Sequence, residues 1–211
     1  MTNHNITIRI EQQADYEEVE RLIFAAFETM ELPGRTHTNE HFLAHLLRGD
    51  PDFIPELDFV VEQNSEIVGN IMYSRCAVIR PDGKKTEALV FGPVSVKPEL
   101  HRQGVGTMLI EHSLDHAHEL GYKAVLITGH PDYYRRFGFV PASAYGITML
   151  DGKSFDAFMA LELDEGYLGV DGGRWKCCRA FDVCEGDPSA FREFHLAFTD
   201  RIQAGSSSCR K

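Results

Sequence analysis

Val94-Ser-Val-Lys-Pro-Glu-Leu-His-Arg-Gln-Gly-Val-Gly-Thr-Met-Leu-Ile110 alternates as a strand, turns at Lys97-Pro98, passes two closely spaced glycines and continues as an amphipathic helix. Glycine costs backbone entropy, so a pair at the mouth of a helix calls for a structural or functional reason. The first amides of any helix lack an intrahelical partner, and the aligned peptide dipoles place roughly +0.5 charge beside them. Such a start takes an anion if no side chain blocks approach. Gly104 and Gly106 remove Cβ atoms there, and Arg102 adds a positive side chain. Spacing alone does not separate an anion seat from a turn that packs the helix closely on its strand.

The surrounding pattern is a mixed α/β domain. Upstream, Ile6–Ile10 alternates as a half-buried strand, Asp15 is placed to cap a helix carrying Val19, Leu22, Ile23, Ala26 and Phe27, and Pro33-Gly34 ends it. A second helix spans Asn39 to Leu47, closed by Gly49-Asp-Pro51. Leu57–Gln63 and Glu66–Arg75 read as strands joined by the Asn64-Ser65 turn. Lys84–Val96 is another, interrupted by Gly92-Pro93, where a residue without an N–H predicts a bulge or a splayed edge. Downstream, the helix after the glycines turns Val105, Leu109, Ile110, Leu114, Ala117 and Leu120 inward, and Ala124–Thr128 is a short apolar strand with both faces covered. A short helix near Asp132–Phe137 ends at Gly138, and Phe139–Tyr145 and Phe155–Leu163 are candidate strands. Beyond Glu165 the texture changes to a glycine-rich link, a candidate strand over Trp175–Val183, a helix over Pro188–Ile202 and a frayed Gly205-Ser-Ser-Ser208 tail.

Composition narrows the partners. Lys and Arg total 21 against 32 Asp and Glu, a net charge of −11. That balance argues against nucleic acid or an anionic membrane as the main partner and suits an amine-bearing substrate. No apolar run approaches the ~20 residues that cross a bilayer. The N-terminus shows no basic-then-apolar leader, and five cysteines (76, 177, 178, 184 and 209) are an odd number, which points to reduced thiols in the cytoplasm.

Two phosphate motifs fail. A P-loop requires Lys-Ser/Thr after its last glycine, where this chain has Thr107-Met108, and a dinucleotide fingerprint requires a third glycine or alanine where Leu109 stands. In contrast, Gly92-Pro-Val-Ser-Val-Lys-Pro98 followed by His101-Arg-Gln-Gly-Val-Gly106 resembles the coenzyme-A-binding segment of the GNAT superfamily of N-acetyltransferases, whose loop reads Gln/Arg-x-x-Gly-x-Gly/Ala; His101 departs from its first position. Tyr134-Arg-Arg-Phe-Gly-Phe139 resembles that family's Tyr-x-x-x-Gly-Phe. The run from His45 to Glu56 and Gly129-His-Pro-Asp-Tyr-Tyr134 are similar to one branch of predicted bacterial acetyltransferases.

The resemblance implies a GNAT fold over residues 1–163: a mixed, mostly antiparallel twisted sheet with splayed central strands between flanking helices, with 164–211 as an extension packed on the core. It implies acetyl-CoA as co-substrate and no metal, with Val94, Ser95 and Val96 along the pantetheine arm and Arg102, Gln103, Gly104, Val105, Gly106 and Thr107 at the pyrophosphate. Tyr134 matches the family tyrosine that protonates the departing thiolate, against a simpler reading as an aromatic packed under the coenzyme; Tyr133 packs or meets substrate. The function implied is direct transfer of acetyl to an amine on a small molecule, a peptide or a protein N-terminus, with a homodimer as the prior for assembly. The rival is a non-catalytic acyl-CoA-binding or sensing module.

Other constellations carry less. Glu87 and Asp58 lie on strands that can face the cleft, yet neither is marked as the base. Glu28, Glu31 and Arg35 are placed to line an acceptor pocket or to form an exposed loop. His112, His116 and Glu119 share a helix face with zinc-like spacing, but that face is also the polar side of an amphipathic helix. Cys177, Cys178 and Cys184 lack a Cys-x-x-Cys spacing and read as reduced core residues.

Overall fold

The computed structural model describes residues 6–28 and 38–208, with side chains described as far as residue 203. Glu31, Arg35, the Pro33-Gly34 break and Cys209 lie outside the described residues. In chain order come β1 (Ile6–Ile10), α1 (Tyr16–Glu28), α2 (Glu40–Leu47), β2 (Phe59–Gln63), β3 (Glu66–Ile79), β4 (Lys85–Val96), α3 (Val105–Glu119), β5 (Ala124–Thr128), α4 (Pro131–Tyr134), β6 (Val140–Pro141), β7 (Ile147–Thr148), β8 (Phe158–Glu162), β9 (Gly173–Lys176), α5 (Arg179–Gly186) and α6 (Pro188–Ser208).

The strands form one twisted sheet in the order β1-β2-β3-β4-β5-β8-β6, with β9 joining β3 and β7 joining β9. Pairing is antiparallel except for β4 with β5 and β7 with β9. The β2–β3 hairpin turns on Asn64 and Ser65, both at positive φ (53° and 65°), the backbone that a two-residue hairpin with native twist requires. The expected interruption at Gly92-Pro93 is a bulge: Tyr73 faces Phe91 and Ile71 faces Val94, so two β4 residues oppose Met72 alone. Past the bulge β4 leaves β5, whose one registered pair is Leu89 with Val125. With no registered pair beyond Leu89, the central strands are splayed toward the end of β4, as expected.

Each face of the sheet is covered. On one side α3 seats Leu109, Ile110 and Ala117 against Ile71, Tyr73 and Leu89. Tyr73 exchanges a hydrogen bond with Ser113 at 2.9 Å, tying β3 to that helix. On the other side α1, α2 and α5 bury Val19, Ile23, Leu47 and Cys184 against Val60 and Met72. A third cluster around Phe158 and Trp175 closes the far end.

Several local expectations are corrected by long-range contacts. Asp15 does not cap α1; it closes a preceding 3-10 turn by accepting from the Gln12 amide at 2.8 Å and pairs with Arg9 at 2.6 Å. Leu120 ends α3 half exposed rather than inward. Phe139–Tyr145 supplies only the two-residue β6 before a 3-10 turn at Ala142, and β8 begins at Phe158 rather than Phe155. Trp175–Val183 is not one strand. The strand stops at Lys176, and α5 starts at Arg179 because Asp50, from the α2–β2 link, accepts the Ala180 amide at 2.9 Å while Ala180 and Cys184 face the core at helical spacing. The tail read as frayed continues α6 through Ser208.

Candidate active site

The glycine loop builds an open helix start. A 3-10 turn over Pro98–Leu100 leads through Arg102, at φ 61°, to Gly104, at φ 91°, which precedes α3. Met108 donates to the Gly104 carbonyl at 3.0 Å as the first helical bond, which leaves the amides of Val105, Gly106 and Thr107 without a helical acceptor. The two glycines are bare for different reasons. A Cβ on Gly104 would meet nothing within 4 Å, so its glycine serves the left-handed backbone. A Cβ on Gly106 would stand 2.8 Å from the Tyr133 hydroxyl and 3.4 Å from Val96 Cγ2, so its glycine serves close approach. Val105 is buried in the core, Arg102 and Gln103 are exposed, and Gln103 turns back to donate to the Glu99 carbonyl at 2.8 Å.

The splayed strand presents backbone to the same region. Lys97 donates to the Val68 carbonyl at 2.8 Å, and Val96 faces Gly69 and Val94 faces Ile71. Antiparallel alternation then turns the N–H and C=O of Val94 and Val96 away from β3, toward the gap left by β5. His101 supports that orientation, because its Nε2 reaches the Val96 carbonyl at 2.8 Å. The side chain at the position where the family pattern has Gln or Arg is thus engaged with the strand. Ser95 does not join this group. It is buried on the opposite face, where its hydroxyl donates to Asn70 Oδ1.

The third wall is the segment after β5. Tyr134 packs its ring against Phe91 and Phe139, each 5.8 Å between centroids, with Tyr133 edge-on at 5.1 Å. A Cβ on Gly129 would fall 2.2 Å from Tyr134 Cε2, so that glycine is what lets the ring tuck in; motif reading quoted Gly129 without finding this role. Burial, with Tyr133 adding a smaller push, holds the Tyr134 phenol well above its ordinary range, so at neutral pH it is protonated. Arg136 lies 4.1 Å over the Tyr133 ring and donates to the Tyr133 carbonyl at 2.8 Å.

The remaining candidates fall elsewhere. Glu87 is exposed on the paired half of β4, opposite Ala77 and before the splay. Asp58 is buried beside Glu11, and that burial pushes its carboxyl up to about 10, which leaves it protonated at neutral pH and no base. Glu28 is exposed at the end of α1. His112 and His116 stack on each other and meet Phe59 edge-on, and His116 bonds Glu119 at 3.2 Å; among the described residues no group of three or more His, Cys, Asp or Glu is arranged to hold a metal. Burial pushes the Cys76 thiol up to about 12 and raises Cys177 and Cys178, so none is a ready thiolate for carrying an acyl group. No helix among the described residues is long and apolar enough to cross a membrane.

Known proteins share this fold. The family model for the acetyltransferase (GNAT) domain matches residues 7–142. YjhQ, an uncharacterized N-acetyltransferase of Escherichia coli K12, is 27% identical over 143 residues, 68% of this chain and 74% of its own length. YhbS of the same organism, also an uncharacterized N-acetyltransferase, is 27% identical over 166 residues, 78% of this chain and 92% of its own. The crystal structure of Escherichia coli YhbS in complex with CoA superposes with a TM-score of 0.74 at 24% identity, over 86% of this chain and 94% of that one. A GNAT family acetyltransferase from Brucella melitensis in complex with acetyl-CoA gives 0.64 at 25% identity, over 85% of this chain and 100% of that one. With an open helix start, a splayed strand and a matching family model all falling on the same segment, this chain belongs to the GNAT family of acetyltransferases.

Proposed function

We propose that the chain is an acetyl-CoA-dependent N-acetyltransferase that passes the acetyl group directly to an amine. The observation that carries this is the coincidence, in one place, of open α3 amides, unpaired β4 backbone and a protonated buried tyrosine. The coenzyme supplies the acetyl thioester; the residues supply everything else. The amides of Val105, Gly106 and Thr107 take the diphosphate, with Arg102 and Gln103 at the rim. Val94 offers both backbone groups to the pantetheine arm, whereas the Val96 carbonyl is already engaged by His101 and leaves its N–H as the part on offer. Ser95 serves through its strand position, since its hydroxyl is held by Asn70.

A backbone N–H near Val94 is assigned to the developing oxyanion when an amine attacks the carbonyl carbon. A C–N bond forms, the C–S bond breaks and the Tyr134 hydroxyl gives its proton to the departing sulfur; solvent takes the excess proton of the amine and returns one to the Tyr134 oxygen. Alignment of the two reactants supplies the rest of the acceleration. Acceptors rank as small-molecule amines, then peptides, then protein N-termini, in keeping with the net charge of −11. Residues 1–163 form the acetyltransferase domain and 164–211 an extension on it, acting in the cytoplasm, with a homodimer as the assembly. Free thiol released from acetyl-CoA in the presence of an amine panel tests this. Coenzyme binding with no transfer to any amine favours the alternative, a non-catalytic acyl-CoA-binding or sensing module.

A further inference from the structure

We infer that Tyr133 is a second-wall ligand of the coenzyme diphosphate, its hydroxyl admitted by the missing Cβ of Gly106 and backed by the stacked guanidinium of Arg136. The inference rests on the coenzyme reading above and names side chains that the glycine-loop motif does not contain. Three observations place the group. The Tyr133 hydroxyl stands where it would be 2.8 Å from a Cβ on Gly106, directly beside the open first turn of α3. The Arg136 guanidinium lies 4.1 Å from the Tyr133 ring centroid, and its Nε is tied to the Tyr133 carbonyl at 2.8 Å, so the charge and the ring move as one unit. The ring is fixed from the other side by Tyr134, edge-on at 89° and 5.1 Å, and by Phe137 at 5.6 Å.

The chemistry matches an anion. Amides on one side and a phenol O–H on the other can each donate to phosphate oxygens, and a hydrogen bond to a charged acceptor is about twice as strong as a neutral one. Arg136, itself exposed, adds positive charge beside the ring, as Arg102 does on the loop, in a protein of net charge −11. Burial raises the Tyr133 phenol, with Arg136 and the Thr107 hydroxyl pulling the other way, so the hydroxyl stays a donor at neutral pH. Tyr134 then handles the proton and Tyr133 the phosphates, which accounts for two adjacent tyrosines on one turn of helix.

The test is calorimetry with coenzyme A, and competition with inorganic pyrophosphate, on purified full-length variants. Tyr133→Phe is expected to weaken coenzyme A about tenfold, to weaken inorganic pyrophosphate by the same factor, and to leave the melting temperature unchanged. Arg136→Gln should weaken both in the same direction, with a smaller slope of affinity against salt. Gly106→Ala should also weaken coenzyme A. Because its collision is with the hydroxyl, Gly106→Ala combined with Tyr133→Phe should be no weaker than Tyr133→Phe alone. Unchanged or tighter coenzyme binding by Tyr133→Phe would overturn the inference, tighter binding meaning that the hydroxyl plugs the seat. Loss for coenzyme A without loss for pyrophosphate, or additive effects in the double variant, would overturn it as well. A wild-type protein that binds no coenzyme A would instead sink the coenzyme reading, and this inference with it.

Discussion

The two faces of the sheet treat polar groups in opposite ways. At the β4–α3–α4 corner, polar backbone is left open: three α3 amides lack a helical acceptor, and β4 has no registered pair with β5 beyond Leu89. On the α1–α2–α6 side charged groups are buried and paired with one another. Arg48 is buried between Glu11, at 2.7 and 3.0 Å, and Glu20, at 2.8 Å, with Tyr16 stacked 4.1 Å from its guanidinium. Arg201 of α6 reaches Glu20 at 3.5 Å. Nearby, His41 sits fully buried among Phe24, Phe194 and Phe198, its Nε2 3.1 Å from Nδ1 of His195 on α6. Charges and rings there hold helices to one another. Unsatisfied backbone costs stability unless a ligand or water completes it, so the open corner is where binding belongs, and the closed side is what holds the corner in shape.

That contrast can be broken from either side. The largest effect expected is on the closed side. Arg48→Met takes the guanidinium from buried Glu11 and leaves Glu20 with Arg201 and His45, and should cost about 3–5 kcal/mol in urea unfolding. A loss under 1 kcal/mol would mean that Glu11 and Glu20 are not held by Arg48. Next comes the open corner, where Tyr134→Phe should lower turnover about a hundredfold while coenzyme affinity stays within a factor of two. Equal loss in both would make Tyr134 a packing residue.

A third effect links stability to pH. Burial, with His195 adding to it, pushes His41 down to about 3, so the folded ring stays neutral while the unfolded one takes a proton below its ordinary value of 6.5. Stability contributed by His41 is complete above 6.5 and is lost as pH falls toward 3, at up to about 1.4 kcal/mol per pH unit. His41→Phe should flatten that limb in unfolding titrations between pH 7 and 5. An unchanged slope would place the proton elsewhere.

The smallest effect sharpens the difference between the two loop glycines. Gly104→Ala meets no neighbour but must hold φ near 91°, which costs about 1–2 kcal/mol of stability and leaves no collision at the seat. Its loss of coenzyme affinity should therefore be smaller than that of Gly106→Ala, measured by calorimetry on the folded proteins. The reverse order would show that backbone shape, and not close approach, governs the seat.

The elements legible in the chain were those whose signals are local. The Asn64-Ser65 hairpin, the Gly92-Pro93 bulge, α3 after its glycines and the Gly138 stop each rest on residues within a few positions of one another. The family motifs work the same way, since backbone conformation and amide exposure are fixed by neighbours in sequence. The misread segments depend on distant partners. Trp175–Val183 has strand-forming residues, yet Asp50 starts a helix within it from 130 positions away. Phe139–Tyr145 alternates, yet only Val140 and Pro141 find a partner on β8.

By itself, then, the sequence determined a bare helix start behind a strand that Gly92-Pro93 interrupts with a bulge, because φ preferences and missing N–H groups are properties of single residues. Only the tertiary structure decided that Gly106 is bare for Tyr133 and Gly129 for Tyr134, that His101 holds the Val96 carbonyl, and that burial beside Glu11 pushes the Asp58 carboxyl up. Those facts are collisions, hydrogen bonds and desolvation between residues far apart in the chain, and they come into being only when the fold brings the partners within a few ångströms.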